Sequence, residues 1–317
     1  MFTNKGFLFA AGTALAAGSI PAGAQDTGTT ARPHILAVSQ VALYVHDIGV
    51  SRRFYHDFLG FDESYTLTRP DGSLRAALIK INDRQSIELI PENAPNTDRL
   101  NHIALETDNA EGMRLYLKSR GFKVPDHLTL SEINSANFWV NDPDGHPVEF
   151  QQYLPDSWVA RDTGKHLPDT RIATEMSHAG VMVRHLDAAM KFYGDVLGCN
   201  ETWRGSGSGK VLSWVCMTVP DGTDWVEFML YSLPPPLAKI GVNHHLCLIV
   251  PDVAKAGAIL SARPLPPGAQ LSAKILVGTD RKRQIHVFDP DGTRIEIMEP
   301  APPDGVRALS SSAPPPS

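Results

Sequence analysis

Asp289-Pro290-Asp291-Gly292-Thr293-Arg294-Ile295-Glu296-Ile297 joins a turn to a strand that carries a carboxylate between apolar neighbours. Proline pre-sets φ at the start of such a turn and glycine tolerates positive φ at its end, so Pro-Asp-Gly reverses the chain. The same layout stands at Asp142-Pro143-Asp144-Gly145, followed by Val148-Glu149-Phe150. Pro-Asp-Gly also occupies 70–72 and 220–222, and two more strand glutamates lie in Ile87-Glu88-Leu89 and Val226-Glu227-Phe228.

Upstream of each glutamate the chain repeats itself again. Short apolar strands begin on Gln40, His102, His178 and His245. Each leads through a polar turn into an amphipathic helix, over 47–59, 108–120, 187–197 and 252–263. In the first helix Val50, Phe54 and Phe58 recur every four residues and make one apolar face. Gly60, Gly121 and Gly198 stand where helix-terminating glycines belong, and the fourth helix runs into Pro264. From first-strand polar residue to last-strand glutamate the separations are 88 − 40 = 48, 149 − 102 = 47, 227 − 178 = 49 and 296 − 245 = 51. Agreement this close marks an internal repeat.

The sequence therefore predicts an α+β fold of four βαβββ units in two domains, over 35–153 and 176–300. Residues 154–175, with Pro155, Gly164 and Pro168, read as a linker, and the Pro-, Ser- and Ala-rich 301–317 as a disordered tail. Units could pair within a half or across the chain.

Strand side chains alternate faces. Leu246, Leu248 and Val250 share the face suited to a helix, which leaves His245 and Cys247 on the other; the same parity sets His178 against Ala179, Val181 and Val183. Two residues beyond each first-strand polar group stands a small one, Ala42, Ala104, Gly180 or Cys247, which predicts room for a cavity. A carboxylate between apolar neighbours costs several kcal/mol unless it is paired or bound to metal. Four such glutamates at matched positions, three with a matched histidine, point to imidazole–carboxylate metal chemistry, with Fe, Ni, Zn or Mn as the divalent ion.

Composition bounds the rest. With 317 residues, 42% hydrophobic and 20% charged, the chain reads as ordinary globular domains. A net charge of −6 argues against nucleic acid as a partner and leaves a small molecule as the expected one. Lys5, the apolar stretch 7–17 and Ala22-Gly23-Ala24 before Gln25 read as a signal peptide over 1–24, so the mature protein is expected to be periplasmic or secreted and free of the membrane. Cys199, Cys216 and Cys247 cannot all pair and read as small buried hydrophobes.

Arg53-Phe54-Tyr55 to Leu59-Gly60-Phe61, Lys191-Phe192-Tyr193 to Leu197-Gly198, and the two Asp-Pro-Asp-Gly turns with their glutamates resemble the vicinal oxygen chelate superfamily. That superfamily includes glyoxalase I, extradiol dioxygenases and bleomycin-resistance proteins. The resemblance implies cupped mixed sheets, each from two units, with a metal held by first and last strands. By position it assigns His178, Glu227, His245 and Glu296 to a site like that of bacterial glyoxalase I. It assigns Gln40, Glu88, His102 and Glu149 to a weaker second site. The implied activity is of the isomerase or lyase type, with proton abstraction beside a carbonyl by Glu227 or Glu296. A ring-cleaving Fe(II) dioxygenase using His178, His245 and Glu296 is the alternative, and a metal-free binding protein of the resistance type is a third. Glu227 stands where the dioxygenases usually carry histidine, and His286 where they carry tyrosine. His286 is either an acid–base group or a packed strand histidine. Arg281-Lys282-Arg283 could attract an anion or be a solvated turn, and the glycine-rich 205–209 could cover the pocket or be a plain hairpin loop.

Overall fold

The computed structural model describes residues 31–94 and 98–317; the expected signal peptide lies outside them. The first unit runs β1 (Ile35–Val45), α1 (Ile48–Arg53), β2 (Glu63–Thr68), β3 (Leu74–Lys80) and β4 (Ser86–Pro91). The second runs β5 (Leu100–Thr107), α2 (Ala110–Ser119), β6 (Thr129–Leu130), β7 (Ser135–Asn141) and β8 (Pro147–Tyr153). A short helix, α3 (Trp158–Arg161), precedes the third unit: β9 (Glu175–Val183), α4 (Leu186–Ala189), β10 (Asn200–Gly205), β11 (Trp214–Thr218) and β12 (Trp225–Leu230). The fourth follows α5 (Leu237–Asn243) with β13 (His245–Ile249), α6 (Val253–Ser261), β14 (Gln270–Val277), β15 (Arg283–Phe288) and β16 (Arg294–Met298).

Consecutive units pair. One mixed eight-stranded sheet has the order β2-β3-β4-β1-β5-β8-β7-β6, the other β10-β11-β12-β9-β13-β16-β15-β14. First strands of the two units meet antiparallel at the centre, β1 with β5 and β9 with β13, and each takes its own unit's last strand in parallel. All four polar-residue strands of a half are thereby neighbours.

The helices cover the other face, and one continuous core joins the two sheets through residues such as Phe54, Phe150, Tyr193 and Phe228. Two reciprocal hydrogen bonds tie the halves. Tyr55 Oη donates to Asp289 Oδ2 at 3.2 Å and Tyr193 Oη donates to Asp142 Oδ2 at 3.1 Å. The Asp-Pro-Asp-Gly turns that end one half thus anchor the aromatic helix of the other. Those helices are not α-helical to their ends: Phe54–Phe58 and Met190–Val196 widen into π turns, seen in Leu59 N–H to Phe54 O and Leu197 N–H to Phe192 O. The wider turn buries consecutive aromatics together, Phe54 with Tyr55 and Phe192 with Tyr193.

Three of the four Pro-Asp-Gly turns use left-handed glycine, but Gly222 does not. It is required for another reason: a Cβ there would sit 2.0 Å from the Leu36 carbonyl oxygen.

Two expectations change. Residues 154–175 are more than a spacer, because Trp158 and Val159 of α3 pack on Leu67, Ala76, Leu78 and Ile133 on the first half's sheet. Lys80 holds this segment, donating to Asp162 Oδ2 at 2.9 Å and its carbonyl at 2.6 Å. The tail, expected to be disordered, is laid along the second half. Ser311 N–H donates to the Arg204 carbonyl, Leu212 N–H to the Pro314 carbonyl, and Arg281 pairs with Asp304 at 2.6 Å. Proline and small residues form no core of their own, yet they can run beside a sheet edge that offers free backbone groups.

Candidate metal centre

In the second half the four predicted side chains converge. His178 comes from β9, Glu227 from β12, His245 from β13 and Glu296 from β16, the four central strands of the sheet. The two imidazole Nε2 atoms are 3.2 Å apart. Glu227 Oε2 lies 3.2 Å from His245 Nε2 and 3.8 Å from His178 Nε2. Glu296 Oε2 lies 3.6 Å from His178 Nε2 and 3.9 Å from His245 Nε2. Ligands about 2.1 Å from a common ion stand roughly 3.0–3.4 Å apart when adjacent and about 4.2 Å when opposite. The observed spacings fall within that span.

The tautomer of His245 fits as well. His245 Nδ1 is 2.7 Å from the Asn243 carbonyl, which only accepts, so the proton is on Nδ1 and the Nε2 lone pair faces the cluster. Two neutral imidazoles and two carboxylates carry a charge of about −2, which a divalent cation cancels. Cys247, Glu296 and Glu227 overcome burial and raise His178 to about 10. Burial and then Arg294 lower His245. Against burial, Arg294 and His245 hold Glu296 well below the usual carboxylate range, and His245 lowers Glu227.

Gly180 explains how His245 fits. It faces His245 across the β9–β13 pairing, and a Cβ at 180 would lie 2.0 Å from His245 Cε1 and Nδ1. The small residue was expected to open a cavity; it instead lets the imidazole lie flat against the neighbouring strand.

The two glutamates differ in their outer oxygens. Glu296 Oε1 is held by Arg294 at 3.3 Å, with His286 Nε2 at 3.7 Å. Among the described residues Glu227 Oε1 has only the Cys216 thiol, at 3.8 Å. His286 faces Glu296 directly across the β15–β16 pairing, and its Nε2 has no hydrogen-bond partner among the described residues.

The first half closes differently. Gln40 donates its amide to Glu88 Oε2 at 2.5 Å, so this side chain is turned as a donor. His102 Nε2 sits 3.1 Å from Glu149 and 3.9 Å from Glu88. Burial raises Glu88, and Glu149 raises His102 against its burial. Among the described residues, ligand-type atoms cluster as His178–Glu227–His245 and as His178–Cys247–Glu296, both in the second half. Gln40 supplies hydrogen atoms where a ligand would need a lone pair, and His102 Nε2, although 3.1 Å from Glu149, has no hydrogen-bond partner among the described residues.

Above the second cluster lies a cavity of about 840 Å³, lined by Trp203, Trp214 and Trp225 and, from the tail, by Pro302 and Arg307. Trp225 stacks on His178 with ring centroids 4.7 Å apart. The 205–209 segment closes the β10–β11 hairpin, with Ser213 N–H donating to the Gly205 carbonyl. Of the basic triplet, Arg281 binds the tail, Lys282 lies over Trp225 and Arg283 pairs with Glu299 at 3.3 Å. The sequence reading singled out none of Trp225, Arg294 or the thiol of Cys247 as part of the site. Each lies two residues from a candidate ligand on the same strand, so the alternation rule reaches all three. Nothing local in the sequence announces the contribution of the tail.

Comparison with known proteins accords with this architecture. The sequence model of the Glyoxalase/Bleomycin resistance protein/Dioxygenase superfamily matches residues 37–150 and 175–297. The uncharacterized protein YaeR of Escherichia coli is 28% identical over 123 residues, 36% of this chain and 95% of that protein. The 2,3-dioxygenase LapB from Pseudomonas sp. KL28 superposes with a TM-score of 0.64 at 16% identity, covering 88% of this chain and 98% of that one. The Mn(II)-bound glyoxalase from Novosphingobium aromaticivorans superposes with the same TM-score and identity, covering 90% and 89%. At these identities the structural likeness concerns the fold.

Proposed function

The chain belongs to the glyoxalase/bleomycin resistance protein/dioxygenase superfamily, and on that premise we propose that its second half is a divalent-metal-dependent isomerase or lyase acting on a small oxygenated molecule. The observation that carries this reading is the convergence of His178, Glu227, His245 and Glu296 at ligand spacing, with the Nε2 lone pair of His245 facing the cluster. A bound Fe, Ni, Zn or Mn ion would act as a Lewis acid toward a carbonyl oxygen. His178, Glu227, His245 and Glu296 would hold the ion, and a substrate would meet it through its oxygens.

The protein's own part is to move the proton. Glu227 is the better base because its outer oxygen is restrained only by a thiol, whereas Arg294 pins Glu296. Glu227 takes the proton from the carbon beside the carbonyl, that C–H bond breaks, and its electron pair moves onto the carbonyl. Returning the proton to the adjacent carbon completes an isomerisation. His286, unpartnered at Nε2 and facing Glu296, can exchange a proton with a substrate oxygen. The first half is a structural partner, since Gln40 there serves as a donor to Glu88 and offers no lone pair.

The test is a pair of variants on a panel of hydroxy-carbonyl compounds. Glu227→Gln is expected to bind metal more weakly than the parent and, at saturating metal, to lose turnover by at least about 100-fold. Glu296→Gln is expected to lose the metal. Full turnover in Glu227→Gln contradicts the assignment of the base. A ring-cleaving dioxygenase is the second reading, because His178, His245 and Glu296, with Nε2 and Oε2 atoms 3.2–3.9 Å apart, supply the two histidines and one carboxylate that such an iron site needs. Dioxygen uptake with catechols by the Fe(II)-loaded protein distinguishes it.

A further inference from the structure

Two histidines meet at the seam between the halves, outside either polar cluster. His146 follows the Asp142–Gly145 turn of the first half, and His244 stands just before β13 of the second. Their Nε2 atoms are 3.2 Å apart, and their rings cross at 89° with centroids 5.0 Å apart. The side chain of His244 is buried and that of His146 is 15% exposed.

Each ring is backed by a carboxylate at its other nitrogen. His146 Nδ1 lies 2.9 Å from Asp142 Oδ2, and His244 Nδ1 lies 3.0 Å from Asp98 Oδ1. Tyr193 Oη donates to the same Asp142 oxygen at 3.1 Å and helps to fix it. An ionised carboxylate only accepts, so both Nδ1 atoms carry protons, and each neutral ring turns its Nε2 lone pair toward the other. Two lone pairs this close repel unless a cation stands between them. A hydrogen bond between the rings would need an additional proton on one of them. A metal ion needs none, and a carboxylate behind each imidazole is the arrangement that orients metal-bound histidines and raises their basicity.

The spacing suits an ion. Two nitrogens about 2.1 Å from one metal stand about 3.0 Å apart at a right angle and about 3.4 Å apart at the tetrahedral angle, and 3.2 Å lies between. Neutral imidazole suits zinc and its neighbours in the first transition row. Asp142, Asp144 and Asp98 all act on His146 as negative charges, which favours a cation there. Asp98 and His146 are partly exposed, so an ion can reach the pair and keep water on its remaining positions. The fold itself does not call for imidazole at these places. By the internal repeat, the equivalent of His146 is Thr293, after the Asp289 turn, and that of His244 is Asn101, before His102.

We propose that His146 and His244 bind a second divalent ion of the zinc type, which ties the two halves together at the start of β13. The pair shares no ligand with the His–Glu cluster, and the proposal stands whether or not that cluster holds metal. With two protein ligands in place of four it is the weaker site. Its Kd is expected to be on the order of 10 µM, so that dialysis removes its ion.

Zinc is the probe. Dialysed protein carrying one Zn(II) per chain is titrated with further Zn(II) by calorimetry. One more ion per chain is expected to bind, and excess Zn(II) to raise the melting temperature, because a ligand of the native state stabilises it. His146→Gln and His244→Gln should each weaken this later binding by at least about 10-fold. Glu296→Gln, titrated without preloading, should keep it. So should His56→Gln, which removes an exposed histidine beside Asp57. No further ion in the parent, a further ion that either His146→Gln or His244→Gln keeps at full affinity, or one lost in Glu296→Gln or His56→Gln overturns the proposal. If dialysis leaves no tightly held ion, the reading of the His–Glu cluster fails, and the same variants still decide this one. Should a histidine variant not fold, anomalous scattering from crystals of the parent grown with excess Zn(II) settles the matter. A zinc peak between His146 and His244 supports the site, and zinc found only elsewhere, or nowhere, overturns it.

Discussion

Gly180→Ala isolates the packing that makes the metal centre. The backbone at 180 has no left-handed φ, so alanine meets no conformational penalty of its own. The perturbation is steric: the new methyl carbon would lie 2.0 Å from two ring atoms of His245, against an ordinary contact of about 3.5–4.0 Å. The ring must move by more than about 1 Å, because strand pairing fixes the backbone on both sides. The movement breaks the Nδ1–H bond to the Asn243 carbonyl or pulls Nε2 out of the cluster. Disturbing the orientation of a metal-ligating histidine costs about 10–100-fold in affinity, and overpacking adds about 1–3 kcal/mol of destabilisation. The first half supplies the control, since Ala42 already faces His102 across the equivalent β1–β5 pairing. Ala42→Gly should therefore leave metal binding untouched. Metal titration of the purified variants, with thermal melts of the same samples, reads both effects. A Gly180→Ala protein that binds metal as tightly as the parent would falsify this account of how His245 is placed.

Two other expectations concern the frame around the site. Truncation after Pro300 removes the tail contacts to Arg204, Leu212 and Arg281. Because β16 ends at Met298, the sheet should still form, with a stability loss on the order of 1–3 kcal/mol and tryptophan emission shifted to the red; an unchanged spectrum would mean that the tail does not cover the indoles. Asp289 is raised to about 7, chiefly by burial, while it accepts from Tyr55. A carboxyl raised on folding contributes stability that is present below its unfolded value of about 3.9 and lost as pH rises through about 7. The melting temperature of the parent should therefore fall, relative to that of Asp289→Asn, between about pH 4 and pH 8; parallel curves would show that Asp289 is not the titrating group.

The fold was legible because its signals are local and repeated. A turn tripeptide, a strand glutamate and a helix-ending glycine each have a short-range physical cause, and four copies fixed the spacing. Pairing was not legible, since either partner would bury the same faces; it shows only in the β1–β5 and β9–β13 ladders. The shared face of the four polar side chains followed from strand parity, and their assignment as candidate ligands from the family resemblance, yet parity does not distinguish a donor from an acceptor. Gln40 could face its cluster as an oxygen ligand or as an amide donor, and its bond to Glu88 decides for the donor. The π turns escaped notice because Val50, Phe54 and Phe58 satisfy an α-helical period that the chain abandons after Arg53. The tail escaped because composition reports whether a segment can build a core, not whether an existing edge can receive it.

The central claim is that the second half, and not the first, holds the metal. Elemental analysis of native protein, of Glu296→Gln and of Glu149→Gln tests it most directly. One divalent ion per chain is predicted in the native protein and in Glu149→Gln, with most of it lost in Glu296→Gln, where a charge and a ligand disappear from the converged set. Metal lost in Glu149→Gln and retained in Glu296→Gln would contradict the claim.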